Sequence, residues 1–426
     1  MPFYTNPLAS NRDFRLLFSA QVISLTGSGV TTVGLALFAY QLVGGDSAAI
    51  VIGNALMLRI LAFLLFSQPA GILADRLNRK HILIAADLVR FVLVAMFPFI
   101  QYAWQIYVLI FLINAATAFF TPTFDSTIPS VVGQEHYVKA LSLSRVATDL
   151  EALAAPLLAG VLLALMGFKG LFWFNAGTYL ISAVLVVASS LCHTPKPVSP
   201  FLLRTFLQEL SYGLKAMLRH AVLRRALMYS FVEAIAGAAA IVTTVIYVRD
   251  VLMLGETSFV LVMAALGLGS MLAALVLGQA TGRYESTAKN PSELHGLRHR
   301  WIENAMFLGS IILGLLLLPG ALQPPLLIFA GLWFLNGVGQ ALIAIPSSTL
   351  LAEHTTEVER GRIYAAYFAL THAFWLITYP AIGYGTSILG APMTFTVAGI
   401  VCLLIALIAF LSIKPIEDHV HDSPSM

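Results

Sequence analysis

From Ala48 to Ala74 the chain carries one charge, Arg59, and from Ile82 to Gln101 only Asp87 and Arg90. Asp75, Arg76, Arg79 and Lys80 crowd into the short connection between these runs. Each run exceeds the roughly 20 apolar residues that cross a bilayer core, so the connection is fixed at a membrane face. The pattern recurs along the chain, with about twelve apolar runs starting near Phe14, Ser47, His81, Trp104, Lys139, Gly170, Val222, Thr257, Arg300, Pro325, Gly361 and Ala391. Barrel strands are excluded, because they alternate in polarity over about ten residues. A helix instead satisfies its own backbone in lipid. Composition agrees: 59% of residues are apolar and 11% charged, against roughly 45–50% and 25% in a soluble domain. The expected fold is an all-α integral membrane protein with 12 transmembrane helices.

The placement of positive charge sets the orientation. Arg12, Arg15, Arg76, Arg79, Lys80, Lys139, Lys196, Arg204, Lys215, Arg219, Arg224 and Arg225 fall on one side, as do Arg283, Lys289, Arg298, Arg300, Arg360, Arg362 and Lys414. Lys169 and Arg249 fall on the other. By the positive-inside rule both termini and the long central connection are expected in the cytoplasm. The first run, Phe14 to Val43, is too long for a signal-peptide core and should persist as a helix. Cys192 and Cys402 give no disulfide framework.

Pro195, Pro197 and Pro200 interrupt the apolar rhythm, and the stretch Phe201 to His220 alternates Leu203, Phe206, Leu207, Leu210 and Leu214 with Arg204, Gln208, Lys215 and Arg219. Such an amphipathic segment is an interfacial helix or a protein-binding one. It divides the chain into an N-terminal six-helix bundle (1–191), a cytoplasmic linker (192–221), a C-terminal six-helix bundle (222–413) and a tail (414–426). The halves look duplicated, because Pro122 and Pro346 stand 224 positions apart, as do Pro156 and Pro380. Parallel repeats of this kind are a transporter plan, with the substrate site between them near the midplane. Pro156, Gly160 and Pro380 are candidate helix-packing hinges. A partial echo of the charged connection stands at Gly278 to Arg283, without an equivalent of Asp75.

In the connection itself, Gly71 allows close helix approach, Asp75 can accept hydrogen bonds from a helix N-terminus, and Arg76, Arg79 and Lys80 face water and lipid phosphates. The segment Gly71-Ile72-Leu73-Ala74-Asp75-Arg76-Leu77-Asn78-Arg79-Lys80 resembles the signature loop between helices two and three of the major facilitator superfamily. Asn78 stands where that signature has its inner glycine. The resemblance extends over the whole chain in span count and loop placement. It implies that Gly71, Asp75, Arg76 and Arg79 act as a conformational latch between inward-open and outward-open states, served by Asp87 and Arg90. In the fifth span Ala155-Pro156-Leu157-Leu158-Ala159-Gly160 is similar to the Gly-Pro-x-x-Gly-Gly segment of proton-coupled exporters, with alanines keeping its small-residue character.

Ionisable groups inside the membrane are functional candidates by default. Arg59 lies in span two, Asp149 and Glu151 in span five, Glu233 in span seven and His372 in span eleven. Arg59 calls for an anion, with Asp149 or Glu151 as partner, in a fixed structural pair or a working one. Glu233 has no cation nearby in sequence, which makes it a candidate proton carrier or a carboxyl satisfied by backbone and water. His372 has three open readings: coupling group, metal ligand or packing residue. Tyr247, Trp333, Asn336, Gln340, Tyr364, Tyr367 and Trp375 are candidate cavity-lining residues. In the superfamily's architecture spans one, four, seven and ten line the cavity and spans two, five, eight and eleven flank the seam.

The resemblance implies a secondary active exporter, driving a small drug-like or siderophore-like molecule outward in exchange for protons by alternating access. A transition-metal exporter of nickel, cobalt or iron is the alternative, using Glu233, His372 and the tail pair His419 and His421. A lysolipid flippase and a non-transporting membrane sensor are further alternatives. Nothing in the sequence calls for a catalytic set, a cofactor or nucleic acid. The expected partners are a small-molecule substrate, protons and the lipid bilayer, with the chain acting as a monomer.

Overall fold

A computed structural model of the chain describes residues 7–191, 203–287, 291–353, 355 and 357–412, and among these it is almost wholly helical, without a strand. The first three spans are α1 (Arg12–Val43), α2 (Gly45–Arg76) and α3 (Arg79–Ala95). One long helical path, Ala103–Ala188, breaks at Gly133 and Gly167 into α4 (103–132), α5 (134–166) and α6 (168–188). An amphipathic helix, Leu203–Arg219, leads into α7 (Ala221–Val242), α8 (Glu256–Thr287), α9 (Pro291–Leu317) and α10 (Leu326–Glu353). The last path, Glu357–Leu411, breaks at Gly390 into α11 (357–389) and α12 (391–411).

Ten helices are long and apolar enough to cross a membrane when Ile363–Leu411 is taken as one. Dividing that path at Gly390 and counting the 134–166 stretch gives twelve spans, in two halves of six. Gly167 turns α5 into α6 at φ 67 and ψ −177, and Gly390 turns α11 into α12 at φ 77 and ψ 159. That backbone region is open to glycine and closed to other residues. Nothing described lies within 4 Å of where a Gly167 Cβ would sit, so the geometry of the corner, not crowding, selects glycine there. The two corners stand 223 positions apart, a structural counterpart of the proline spacing.

The halves meet where side chains are missing. A Cβ on Gly53 of α2 would lie 2.5 Å from the Tyr379 carbonyl oxygen of α11, and one on Gly383 would lie 2.6 Å from the Ala49 carbonyl oxygen. Across the other seam, a Cβ on Gly160 of α5 would lie 2.3 Å from Val260 Cγ1 of α8. Lipid tails supply no hydrophobic drive between helices, so such backbone approach carries the association. Pro380 sits at the α2–α11 crossing, next to Tyr379. At the ends of the helices remote from the termini, Tyr40 O–H of α1 donates to Asp250 Oδ1, and Gln41 Nε2 donates to Glu256 Oε1 at 2.6 Å. The Arg249 guanidinium lies over the Tyr40 ring, 5.2 Å from its centroid.

Candidate functional site: a charged cavity on the N-terminal side of the seam

A cavity of about 380 Å³ opens among α1, α2, α4, α5 and α6, closed on one side by α11. Helical spacing builds each wall. Ser28, Thr31, Thr32 and Leu35 share a face of α1, Leu56, Arg59, Ile60 and Phe63 a face of α2, and Asn114, Thr117 and Thr121 a face of α4. Glu151 enters from α5, Asn175 and Tyr179 from α6, and Phe368 and His372, one turn apart, from α11.

The neutral polar residues of this wall spend most of their hydrogens on their own helices. Ser28 Oγ donates to the Ser24 carbonyl at 3.0 Å, Thr32 Oγ1 to Ser28 at 3.1 Å, Thr117 Oγ1 to Ile113 at 2.9 Å, and Thr121 Oγ1 to Thr117 at 3.3 Å. Asn114 Nδ2 donates to the Ile110 carbonyl at 2.8 Å, and Asn175 Nδ2 to Thr31 Oγ1 at 2.5 Å. Because the Ser28 hydrogen is committed, Tyr179 O–H is the donor in its 2.9 Å bond to Ser28 Oγ. The hydroxyls of Ser28, Thr32, Thr117 and Thr121, their hydrogens spent, are left with oxygen lone pairs to offer.

His372 follows the same rule. Its Nδ1 stands 2.8 Å from the Phe368 carbonyl oxygen, which can only accept, so Nδ1 bears the hydrogen and Nε2 of the neutral ring is an acceptor. The ring packs against two aromatic neighbours, with centroids 3.7 Å from Phe368 and 6.3 Å from Phe63, and those two rings lie 6.0 Å from each other, so the three form a cluster. Phe63 belongs to α2 and His372 to α11, so this stack crosses the seam between halves.

Arg59 and Glu151 provide the charge. An Arg59 Nη1 hydrogen goes to Thr32 Oγ1 at 3.2 Å, and the guanidinium is otherwise exposed to the cavity. Glu151 lies against α1, where a Cβ on Gly29 would come 2.1 Å from its Oε1. The two groups interact electrostatically, and Arg59 also acts on His372. No ion pair within 4.0 Å joins Arg59 to Glu151 among the described residues. Of the five intramembrane candidates, three therefore share one cavity: Arg59, Glu151 and His372. Asp149 is on α5, and its side chain lies outside the described residues.

Glu233 does not line this cavity. It sits on α7 within electrostatic reach of Tyr367, whose hydroxyl shares a 2.8 Å hydrogen bond with Ser230 Oγ. The Ala- and Gly-rich run 234–240 of α7 is closely packed, and a Cβ on Gly237 would meet Trp375 Cη2 at 2.3 Å. Tyr247, Trp333, Asn336, Gln340, Tyr364, Tyr367 and Trp375 are likewise absent from the cavity wall. Trp333 packs on Phe329 and Phe395, and Asn336 accepts from Gln340 Nε2 at 2.7 Å.

The charged connection is tied into the N-terminal half. Arg79 Nε donates to the Ala74 carbonyl at 3.1 Å and its Nη1 to Ser126 of α4 at 2.5 Å. Lys80 Nζ caps the end of α6 through the Val187 and Ser189 carbonyls, at 2.8 and 2.6 Å, a cation at the negative end of a helix. Arg76 is exposed, and the Asp75 side chain lies outside the described residues. Nothing among the described residues lies within 4 Å of where a Gly71 Cβ would sit. Asp87 and Arg90 are set deeper. They pair with each other, Asp87 Oδ2 accepts from Ser182 Oγ at 2.7 Å, and the Arg90 guanidinium lies 4.3 Å from the Phe120 centroid and 4.4 Å from that of Tyr179. His419 and His421 lie outside the described residues.

Sequence reasoning did not find Phe63, Phe368 or the hydroxyl-rich face of α1. The spacing of Phe368 and His372, and the cluster Ser28, Thr31 and Thr32 in an otherwise apolar span, were the available signals.

A twelve-span helical bundle in two halves, with an ionisable cavity at the seam, is the architecture of a membrane transporter. The chain belongs to the Major Facilitator Superfamily, whose sequence profile it matches over residues 17–291 and 299–425. It is 23% identical over 431 residues to the uncharacterized MFS-type transporter YfiS of Bacillus subtilis (strain 168), covering 97% of this chain and 96% of that one. It is 27% identical over 354 residues to the multi-drug resistance efflux pump PmrA of Streptococcus pneumoniae, covering 80% and 81%. Over 178 residues it is 22% identical to macrolide efflux protein A of Streptococcus pyogenes, covering 41% and 43%. Among solved structures, a POT family transporter in complex with 5-aminolevulinic acid superposes with a TM-score of 0.71 at 13% identity, covering 96% and 97%. A bacterial homologue of the lysosomal transporter Spinster, inward-facing and occupied, gives 0.70 at 13% identity over the same shares. At these identities the structural likeness establishes the fold.

Proposed function

We propose that this chain is a proton-coupled exporter, moving a small organic molecule out across the bacterial inner membrane by alternating access, with both termini in the cytoplasm. The single observation that carries the reading is the cavity itself. Its opposite charges come from α2 and α5 of one half and its aromatic-held histidine from α11 of the other, so rocking the halves remakes the site. The relatives named as a multi-drug efflux pump and a macrolide efflux protein support export as the direction. The rocking units are 1–191 and 222–413, joined by the 192–221 linker. Arg59, Glu151 and His372 hold substrate. Glu233, on the first helix of the second half and away from the cavity wall, carries the coupling proton.

The test is expression in an efflux-deficient bacterium challenged with macrolides and a broad drug panel, followed by reconstitution of the purified protein with any compound that is excluded. The expected result is several-fold higher tolerance to at least one compound, abolished by a protonophore and by Glu233→Gln. In proteoliposomes an imposed pH gradient should drive that compound uphill. Binding without flux, or flux indifferent to the proton gradient, would overturn the proposal.

A further inference from the structure

We propose that the cavity is built for a zwitterion: an organic molecule with an ammonium group, an acidic group and a ring-bearing apolar body. The inference rests on the cavity being the transport site and names the chemistry of its cargo. Arg59 and Glu151 line the same cavity, yet among the described residues no ion pair joins them, and the hydrogen bond of the Arg59 side chain within that set goes to Thr32 Oγ1 at 3.2 Å. Two opposite charges held apart in a low-dielectric site each remain costly until something neutralises them. A ligand of the complementary polarity neutralises both at once.

The rest of the wall fits that ligand and disfavours its simpler relatives. The hydrogens of Ser28, Thr32, Thr117 and Thr121 are spent on helix carbonyls, and His372 Nδ1–H on Phe368. These four hydroxyls and His372 Nε2 therefore offer acceptors, which suit an ammonium seated at Glu151, while Arg59 is the charged donor of the wall for an anion. A simple anion would also face the Glu151 carboxylate, and a simple cation would leave the Arg59 guanidinium uncompensated beside it. Phe63, His372 and Phe368 supply flat surface for a ring. The volume of about 380 Å³ lies within the range of small-molecule sites.

The experiment uses matched probes: phenylalanyl-phenylalanine, its methyl ester (cation) and its N-acetyl form (anion), with a second set on an aminoalkyl aryl carboxylic acid. Binding to the full-length purified protein is read by calorimetry and thermal shift. In at least one set the zwitterion should bind about tenfold or more tightly than either capped form, roughly 1.4 kcal/mol. Arg59→Gln should erase the preference over the ester, and Glu151→Gln the preference over the N-acetyl form. Arg59→Lys, which keeps the charge, should retain it and guards against misfolding. The proposal is overturned if a capped form binds as well as its zwitterion, if both neutralising variants weaken all three forms equally, or if no probe in either set binds. Zwitterion binding with the expected charge pattern but no flux would overturn transport and leave this inference standing. Flux of a capped ion that the wild type prefers would overturn this inference alone.

Discussion

Gly29 of α1 and Gly237 of α7 are notches on the first helix of each half, and what fills them differs. Five positions before Pro156 stands Glu151, and five before Pro380 stands Trp375. A Cβ on Gly29 would meet Glu151 Oε1 at 2.1 Å, and one on Gly237 would meet Trp375 Cη2 at 2.3 Å. One repeat position thus carries a carboxylate beside a cavity in the first half and an indole that fills the gap in the second. Trp375 goes on to pack against Tyr379, with ring centroids 5.1 Å apart. The same helix plan makes a polar site in one half and a packed body in the other, to which α11 adds only Phe368 and His372 as cavity wall. Polar and ionisable side chains gather where the packing was left open.

The largest expected effect breaks the packed side. Trp375→Ala should destabilise the protein by up to about 3 kcal/mol, the low end of the cost of deleting a large aromatic because the indole is partly buried, read as a lower melting temperature in detergent. Its ligand preference should be unchanged, and an altered preference with unchanged melting would break the comparison. Next come the notches themselves, where overpacking costs about 1–3 kcal/mol. Gly29→Ala should depress both transport and melting, because the carboxylate can move into the cavity but Ala155 Cβ, 2.5 Å from the added methyl, is fixed to the backbone of α5. Gly237→Ala should depress melting more than transport, because the indole it displaces is packed against Tyr379 and away from the cavity wall. The smallest effect lies at the outer ends of the helices. Tyr40→Phe removes the donor to Asp250 and should cost the closed contact between α1 and the α7–α8 connection about 1 kcal/mol. Spin-label distances across that end should then show a larger open population, and an unchanged distribution would show that the bond does not hold the halves.

The spans were legible because each is an unbroken apolar run, and Arg59, Glu151 and His372 were legible because a charge or imidazole inside such a run stands out. Their convergence was not. Arg59 and His372 are 313 positions apart, and only the α2–α11 crossing, built on Gly53 and Gly383, brings them to one cavity. Glu233 carries the same signal as Glu151 but lies on a helix whose small-residue run packs tightly against its neighbours, so the same type of residue is placed off the cavity. Trp333 and Asn336 were read as cavity-lining from type alone, whereas the aromatic cluster of Phe329 and Phe395 draws Trp333 into the core of the second half. The Tyr40 to Asp250 bond has no local signal, since it depends on where two helix ends meet. The role of Asp87 and Arg90 beside the latch was inferred from proximity in sequence, which gave no sign of the buried contacts they make with Ser182, Phe120 and Tyr179.

The most direct test compares flux of one exported compound in proteoliposomes containing wild-type protein, Arg59→Gln, Glu151→Gln and Trp375→Phe. The account predicts that flux is lost in the two charge-neutralised proteins, with melting temperature maintained, and is kept in Trp375→Phe. Flux untouched by removing either charge, or lost only with Trp375→Phe, would contradict it.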